Sequence, residues 1–485
     1  MNTLHHPHRL IRTLLLVLGC AALAALPLAQ PADVAAQEPD PTFTVSVPMV
    51  MANLENVGTH LLGTQMYGSL ADSAISHSLV RESRMSWIRW EIGWRSRQPQ
   101  KPVPGEDPVY NWGSTDASAE AARHLGLNVI ATIVSNPEWA SMRSADGEHW
   151  YSNGPIKPEH YADFARFIAD MAERYPWITH YELYNEPDNA GMAQAESPKA
   201  GPYWGLYGKE YADMLKVVYP ALKEANPRAQ LVFGGIAYDM FADDACVNTP
   251  ETCSGFYKPF LDDVLANGGG DYFDVFNFHY YPEYADIWEV EGHDIIGKVN
   301  VLRRKLAERG YGDKPIICTE VGASSEPKPY DPTPTPITQA RYITMTATRS
   351  LAAGMDVMIW WTWKNLSTAP FEHYGLVTQE LQPKLGLQAF RTATLKLGGA
   401  TYVGSLGLES QGVEGYEFRT RAGKPLFVLW SLDGGTHTVT LPSNHGNVTG
   451  MCGESLGPVA DGPDGLADGK ISVSVDQDPV FVEGA

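Results

Sequence analysis

The residues best suited to chemistry in this sequence are two glutamates at the ends of apolar runs. Glu186 closes the stretch Tyr181-Glu182-Leu183-Tyr184-Asn185-Glu186, and Pro187 stops the strand there. Glu320 ends a second stretch of the same shape, Lys314-Pro315-Ile316-Ile317-Cys318-Thr319-Glu320-Val321-Gly322. One carboxyl that carries a proton and another that attacks carbon form the pair needed to open a glycosidic bond. Such a pair works only if both strands point their carboxyl ends into one cavity.

The pattern around them supplies such a frame. Short apolar runs occur at Leu61–Tyr67, Trp87–Trp94, Asn128–Val134, His180–Asn185, Leu231–Ala237, Phe273–Tyr281, Pro315–Val321 and Met355–Trp363. Between them lie stretches with apolar residues three and four apart, including Tyr161–Arg174, Tyr211–Glu224, Ile296–Glu308 and Thr338–Ala352. Eight strands alternating with helices predict parallel pairing and a closed (β/α)₈ TIM barrel over residues 56–399. An open doubly wound sheet is the competing architecture. It usually carries a Gly-rich phosphate loop after its first strand, and none is present. In either frame, Glu186 ends the fourth strand and Glu320 the seventh. From 400 to 485 the pattern changes to short strands separated by Gly, Asp and Asn turns, which predicts a small all-β sandwich. That domain reads either as a carbohydrate-binding module or as a packing domain on the flank of the barrel. The second reading is favoured, because no exposed row of aromatic residues is visible in the pattern.

Bulk properties narrow the partners. The 485 residues carry a formal charge of -21, with 44% hydrophobic and 19% charged residues. So acidic a chain is a poor match for nucleic acid, and less strongly for a polyanionic substrate. Residues 1–36 read as an export signal: Arg9 and Arg12 precede an apolar run from Leu14 to Ala29, and Val34-Ala35-Ala36 offers a cleavage site. The run is short for a spanning helix and is broken by Pro27, so secretion without a membrane anchor is expected. Cys20 sits in a weakly lipobox-like Leu18-Gly19-Cys20, but the apolar run continues past it. A lead-in fills residues 37–55. In an oxidising compartment Cys246 and Cys253 are expected to pair. Cys318 is expected to share the strand face of Glu320 as a buried, inert thiol. No Cys or His pair has ligand-like spacing with a second pair, so no metal or other cofactor is expected.

With these residues in place the sequence resembles the large clan of retaining glycoside hydrolases built on a (β/α)₈ barrel, and is most similar to families 39 and 5. Asn185-Glu186-Pro187 matches the clan's Asn-Glu-Pro on strand four, which carries the acid/base, and Glu320 matches the strand-seven nucleophile. Phe278-His279-Tyr280-Tyr281-Pro282 matches its His-x-Tyr, Arg89 its strand-two arginine, and Trp361 and Trp363 its strand-eight tryptophan. The sequence departs from the commonest family 39 pattern at Asp188 and at Val321-Gly322.

The resemblance implies a role for each residue. Arg89 and Tyr281 are expected to keep Glu320 ionised, and the charge of Glu320 to raise the proton affinity of Glu186. Asn185 would hold the sugar 2-hydroxyl and Trp361 would floor the ring, with Trp363 and His279 as further substrate contacts. Trp94, Trp139, Trp204, Glu91 and Asn136 are weaker subsite candidates near strand ends. Each residue also has a plainer reading: Arg89 as a structural ion-pair partner, His279 as an orienting core residue, the tryptophans as core. A carboxyl separation of about 5 Å and retention of configuration are expected. The expected activity is hydrolysis of β-glycosidic bonds in a neutral oligo- or polysaccharide. A transglycosylase using the same two glutamates and a non-catalytic glycan-binding barrel are the alternatives.

Overall fold

The structure is a computed structural model that describes residues 61–484, apart from 72–74, 144–146, 148, 191–202, 239–254, 285, 330, 367–372 and 463–466. The export signal, the lead-in, Cys20, Cys246 and Cys253 lie outside the described residues. No helix among the described residues is long and apolar enough to cross a membrane.

Eight strands form the barrel: β1 (Leu62–Met66), β2 (Trp87–Gly93), β3 (Asn128–Val134), β4 (His180–Leu183), β5 (Gln230–Val232), β6 (Phe276–Tyr280), β7 (Ile316–Val321) and β8 (Met358–Trp360). All neighbours pair in parallel in the order β5-β4-β3-β2-β1-β8-β7-β6. Parallel bridges Val232–Val275 and Ile236–Phe278 join the two ends, so the sheet closes. The strands read as nearly continuous apolar runs because both of their faces are covered. One face of each strand packs against the helices. The other fills the barrel: Trp87, Ile130, Val232, Val275, Ile317, Val357 and Ile359 form an apolar plug at its amino-terminal end.

The helices follow from local pattern. Tyr161–Arg174 buries Tyr161, Phe164, Ala165, Ile168, Met171 and Ala172, the three-and-four spacing of one helical face. Pro336–Ala352 starts at Thr335, whose hydroxyl accepts from the Thr338 N–H while the Thr338 hydroxyl accepts from the Thr335 N–H. Pro336 stands where its missing N–H costs nothing.

After the helix Leu385–Leu397 come eight further strands: β9 (Thr401–Ser405), β10 (Val413–Arg419), β11 (Pro425–Ser431), β12 (His437–Leu441), β13 (His445–Gly450), β14 (Ser455–Ala460), β15 (Ile471–Val475) and β16 (Val480–Gly484). They form an antiparallel six-stranded sheet, β14-β13-β16-β11-β10-β9, and a β12-β15 pair. Val413, Phe427, Leu429, Val439, Leu441, Val473 and Val482 pack between the two sheets. The opposite face of the large sheet carries Tyr416, Phe418, Leu426, Val428 and Trp430 into the same core as the barrel helices. Arg349, on Pro336–Ala352, clamps the junction. It binds Glu414 at 2.8 and 2.6 Å and Asp294 at 2.9 Å, and its guanidinium lies 5.3 Å from the Trp430 ring centre. Barrel and sandwich belong to one compact unit, Thr59–Ala485. The packing role of the sandwich is therefore visible in the structure, and no row of exposed aromatic rings is found on its described residues.

Candidate active site

Above the apolar plug the inward positions of the strands become polar. Arg89 of β2, Glu182 of β4, Thr132 of β3, Gln65 of β1, Asn277 of β6 and Thr319 of β7 are all fully buried there. Arg89 forks onto Glu182, with Nε and Nη2 donating at 2.8 Å each. Its Nη1 donates to Glu320 at 3.1 Å and to Gln65 at 3.2 Å, and Nη2 also donates to Asn185 Oδ1 at 2.7 Å. Burial works against the charge of both partners, but the pairing wins. Arg89 is held more firmly protonated than usual, and Glu182 is held below the ordinary glutamate range. Arg89 thus contacts Glu320 as expected, but its main partner is Glu182, a residue to which the sequence assigned no role. The signal was present: a carboxylate inside an apolar strand must be paired.

The two catalytic candidates sit one layer higher. Oxygens of Glu186 and Glu320 and a ring nitrogen of His279 all lie within 4.8 Å of one another. Glu186 follows β4 on a distorted turn in which Tyr184 and Glu186 have φ of 65° and 46°. Non-glycine residues keep left-handed backbone only when the surroundings enforce it. Here the Tyr184 hydroxyl donates to Asn136 at 2.7 Å, and the Tyr211 hydroxyl donates to the Leu183 carbonyl at 2.9 Å. Trp204 packs edge-on against both tyrosine rings. Beyond the turn, Asp188 accepts from the Ala237 and Tyr238 N–H groups, which ties the loop after β4 to the loop after β5.

Glu320 is reached through a register shift. Phe278 of β6 faces Cys318, but His279 faces Glu320, so Thr319 is the extra residue. The expectation that Cys318 shares the face of Glu320 assumed strict alternation, and this bulge breaks it. Thr319 and Glu320 both turn inward, whereas Cys318 packs outward among the helices, with its thiol donating to the Glu320 carbonyl at 3.3 Å. Burial pushes that thiol up to about 12. Tyr281 enters the barrel and donates to Glu320 at 2.5 Å, while Tyr280 points into the wall.

Burial raises both carboxyls. Glu186 is pushed up to about 7, with Arg89 and Lys298 pulling back. Glu320 is also raised by burial, and the nearby Glu186 adds to this, while His279, Arg89 and the Tyr281 hydroxyl oppose it. The leading cause for Glu186 is therefore loss of water rather than the expected charge of Glu320. Burial likewise pushes His279 down to about 4, so the imidazole is neutral.

The remaining candidates separate into those at the mouth and those in the core. Asn185 is half-buried; its Oδ1 is taken by Arg89, which turns its amide nitrogen away from the guanidinium. Trp361 is half-buried beside Tyr281 and Tyr374, with its indole N–H donating to the Tyr67 hydroxyl at 2.8 Å. Gly322 makes room for it: a Cβ there would lie 2.6 Å from the Trp361 carbonyl and 3.0 Å from the Tyr374 ring. Trp363 is only 3% exposed, and its indole donates to the Ile75 carbonyl, so it offers no face to a ligand. His279 is buried between Glu186 and Thr319 rather than open to the cavity. Trp94 and Trp204 are fully buried core residues, Trp139 packs edge-on against Trp94, and Asn136 spends its amide on the Tyr151 and Gly154 carbonyls. Glu91 points inward from β2, opposite Thr132, and burial raises its carboxyl. Behind Trp361, Lys328 binds Glu283 and Tyr374, joining the loops after β6, β7 and β8.

The fold has many relatives among solved structures. A family 39 glycoside hydrolase from the gut symbiont Bacteroides cellulosilyticus superposes with a TM-score of 0.64 at 18% identity, covering 88% of this chain and 81% of that one. A family 30 endoxylanase from Clostridium papyrosolvens gives a TM-score of 0.58 at 13% identity, over 88% and 97% of the two chains. A glucosidase from Croceicoccus marinus gives 0.58 at 13%, over 88% and 96%. This chain shares their barrel fold. No protein-family model and no curated protein matches the sequence.

Proposed function

We propose that this protein is a secreted glycosidase that cleaves β-glycosidic bonds of a neutral oligo- or polysaccharide by double displacement. One observation carries the reading: a half-buried and a buried carboxyl, Glu186 and Glu320, lie within 4.8 Å of each other in unlike surroundings at the carboxyl ends of β4 and β7. That spacing suits a nucleophile next to its acid rather than the wider gap, about 6.5–9.5 Å, that leaves room for a water. The glycoside hydrolases that share the fold support the reaction class.

Glu320, beside Arg89 and Tyr281, attacks the anomeric carbon while Glu186 gives its proton to the departing oxygen. The C–O bond to the leaving group breaks as the bond to the Glu320 oxygen forms. Glu186, now a carboxylate, takes a proton from water, and the hydroxide displaces Glu320 with net retention. The Asn185 amide nitrogen donates to the sugar 2-hydroxyl, and Trp361 floors the ring. The carboxylates Glu91, Glu182 and Glu320 outnumber Arg89 inside the strands, which disfavours an acidic sugar.

Hydrolysis of a panel of aryl glycosides and polysaccharides tests the proposal, with proton NMR of the first-formed anomer. Retention, loss of activity in Glu320→Gly, and azide rescue of Glu186→Ala are expected. An inverted first product refutes the double displacement.

A further inference from the structure

The mechanism needs Glu186 to hold a proton between turnovers, and the hydrogen bonds around Thr319 show how that proton is placed. The Thr319 backbone N–H can only donate, and it donates to Asn277 Oδ1 at 3.1 Å. This fixes the amide orientation, so Asn277 Nδ2 must face Thr319 Oγ1 at 2.7 Å and Glu182 Oε1 at 3.0 Å, donating to both.

Thr319 Oγ1 therefore already accepts one hydrogen bond and has a single proton to give. Two acceptors compete for it at the same distance: Glu182 Oε1 at 3.2 Å and His279 Nε2 at 3.2 Å. Glu182 is an ionised carboxylate held by the Arg89 fork, and His279 is a neutral ring. The carboxylate is the stronger acceptor. With that proton given to Glu182, His279 Nε2 must carry hydrogen and donate to Thr319. A neutral imidazole has one N–H, so Nδ1 is bare. Two carboxyls face Nδ1: Glu186 Oε1 at 3.0 Å and, beyond hydrogen-bond reach, Glu320 Oε2 at 3.7 Å; across the short contact Glu186 must supply the hydrogen.

We propose that Thr319 locks His279 as the Nε2–H tautomer, so that Nδ1 accepts the proton of Glu186 and gives no support to its carboxylate. Thr319 and His279 are positioning residues for the acid. The ring is clamped as well as oriented: a Cβ on Gly235 would lie 2.2 Å from His279 Nε2 and 2.5 Å from Cδ2, so only glycine lets the loop after β5 press on this ring. The lock serves both halves of the reaction. Before cleavage it leaves Glu186 protonated. After cleavage the carboxylate faces a lone pair instead of an N–H, which keeps it a strong base toward water.

The other groups acting on Glu186 and His279 come from several elements. They are Arg89 and Glu91 on β2, Glu182 on β4, Asp188 on its own loop, Tyr281 after β6, Glu320 on β7, and Lys298 on the helix Ile295–Glu308. None of them touches Nε2, so removing the Thr319 hydroxyl acts on the tautomer first.

The inference rests on Glu186 being the acid, and its test has a part that needs no substrate. In wild-type protein near pH 6, the imidazole ¹⁵N signals of His279, identified by their absence in His279→Gln, are expected to show hydrogen on Nε2 and none on Nδ1. A hydrogen on Nδ1 overturns the lock whether or not the protein turns over glycosides. In Thr319→Val, Nε2 loses its partner and the ring turns to the Nδ1–H form, which donates to the Glu186 carboxylate. The alkaline limb of kcat/KM then moves to lower pH by about one unit, and Thr319→Ser restores it. An unmoved limb in an active, folded Thr319→Val protein also overturns the proposal. Absence of activity in the wild type counts against the glycosidase reading alone.

Discussion

Replacing Glu182 by glutamine probes how the barrel holds its polar layer. The wild-type carboxylate is fully buried and receives both Arg89 nitrogens and the Thr132 hydroxyl at 2.8 Å, and Asn277 at 3.0 Å. Glutamine keeps the shape, removes the charge and turns an NH₂ group toward neighbours that are themselves donors. Breaking a buried pair while its partner stays buried costs about 3–5 kcal/mol. Arg89 retains Glu320, Asn185 and Gln65, which places the loss toward the lower end. Against a total stability of about 5–15 kcal/mol this is a large fraction. In a chain of this length each kcal/mol lowers Tm by roughly 2 °C. Urea unfolding followed by circular dichroism, together with a thermal scan, measures both quantities. The control is Asp116→Asn. It breaks a pair with Arg174 of equally good geometry, 2.7 Å at both contacts, but with side chains 43% and 41% exposed. Water screens that pair, and its loss should cost less than about 1 kcal/mol. If the two substitutions cost the same, burial of the Arg89–Glu182 pair is not what holds this layer, and the reasoning fails.

Further predictions follow from the same geometry. The rate should follow a bell in pH, falling as pH rises through about 7 because Glu186 must be protonated, with an acid limb above the ordinary glutamate value because burial raises Glu320. The sign for stability is the same: folded Glu186 binds more protons than the unfolded chain between its ordinary value of 4.5 and about 7, so its contribution is lost as pH rises through that window, measurable as a falling urea midpoint. Gly235→Ala should drive a methyl into His279 and lower kcat by about 10²-fold with the far-ultraviolet dichroism unchanged. Arg349→Ala should strand Glu414 and Asp294 in the junction and cost about 3–5 kcal/mol, with barrel and sandwich melting in one calorimetric transition. Two separate transitions would show that the junction does not couple them.

What the sequence revealed depended on whether alternation held. Strand positions were legible because strands buried on both faces leave unmistakable apolar runs, and the helix Tyr161–Arg174 was legible to the residue because its stripe is uninterrupted. Within the sandwich, β13, β14 and β16 carry little strand signal of their own. β13 is His-Gly-Asn-Val-Thr-Gly and β14 Ser-Leu-Gly-Pro-Val-Ala, both poor strand formers that depend on their neighbours, and β16 follows the turn at Asp476–Asp478 directly. Where the local period broke, side-chain direction was lost: the bulge at Thr319 and the left-handed turn at Tyr184 and Glu186 are set by contacts between distant strands. The two candidate glutamates could still be named, because residue type and strand order locate strand ends without orientation. The partners that tune them, Glu182, Asn277 and Thr319, became visible only when the barrel brought them together.

The need for Glu182 follows from charge balance through the proposed reaction. At rest Arg89 and the two carboxylates it binds, Glu182 and Glu320, sum to one net negative charge, with Glu186 protonated, and that charge lies at the attacking oxygen. An oxocarbenium-like carbon develops opposite that charge and is stabilised by it. Once the glycosyl bond forms, Glu320 is neutral and Glu186 has become a carboxylate, and of the two carboxylates bound to Arg89 only Glu182 keeps its charge. Without Glu182 the guanidinium would have no charged carboxylate bound to it in the covalent intermediate and would repel the positive charge that reappears at the same carbon in the second displacement. Arg89 can therefore steady the nucleophile without quenching it only because a second carboxylate, buried one layer deeper, takes up most of its charge. Glu182→Gln should accordingly slow both displacements, and pre-steady-state kinetics with a substrate bearing a good leaving group would show it as a fall in both the burst rate and the steady rate. A fall confined to the burst would mean that the balance matters only while Glu320 is charged.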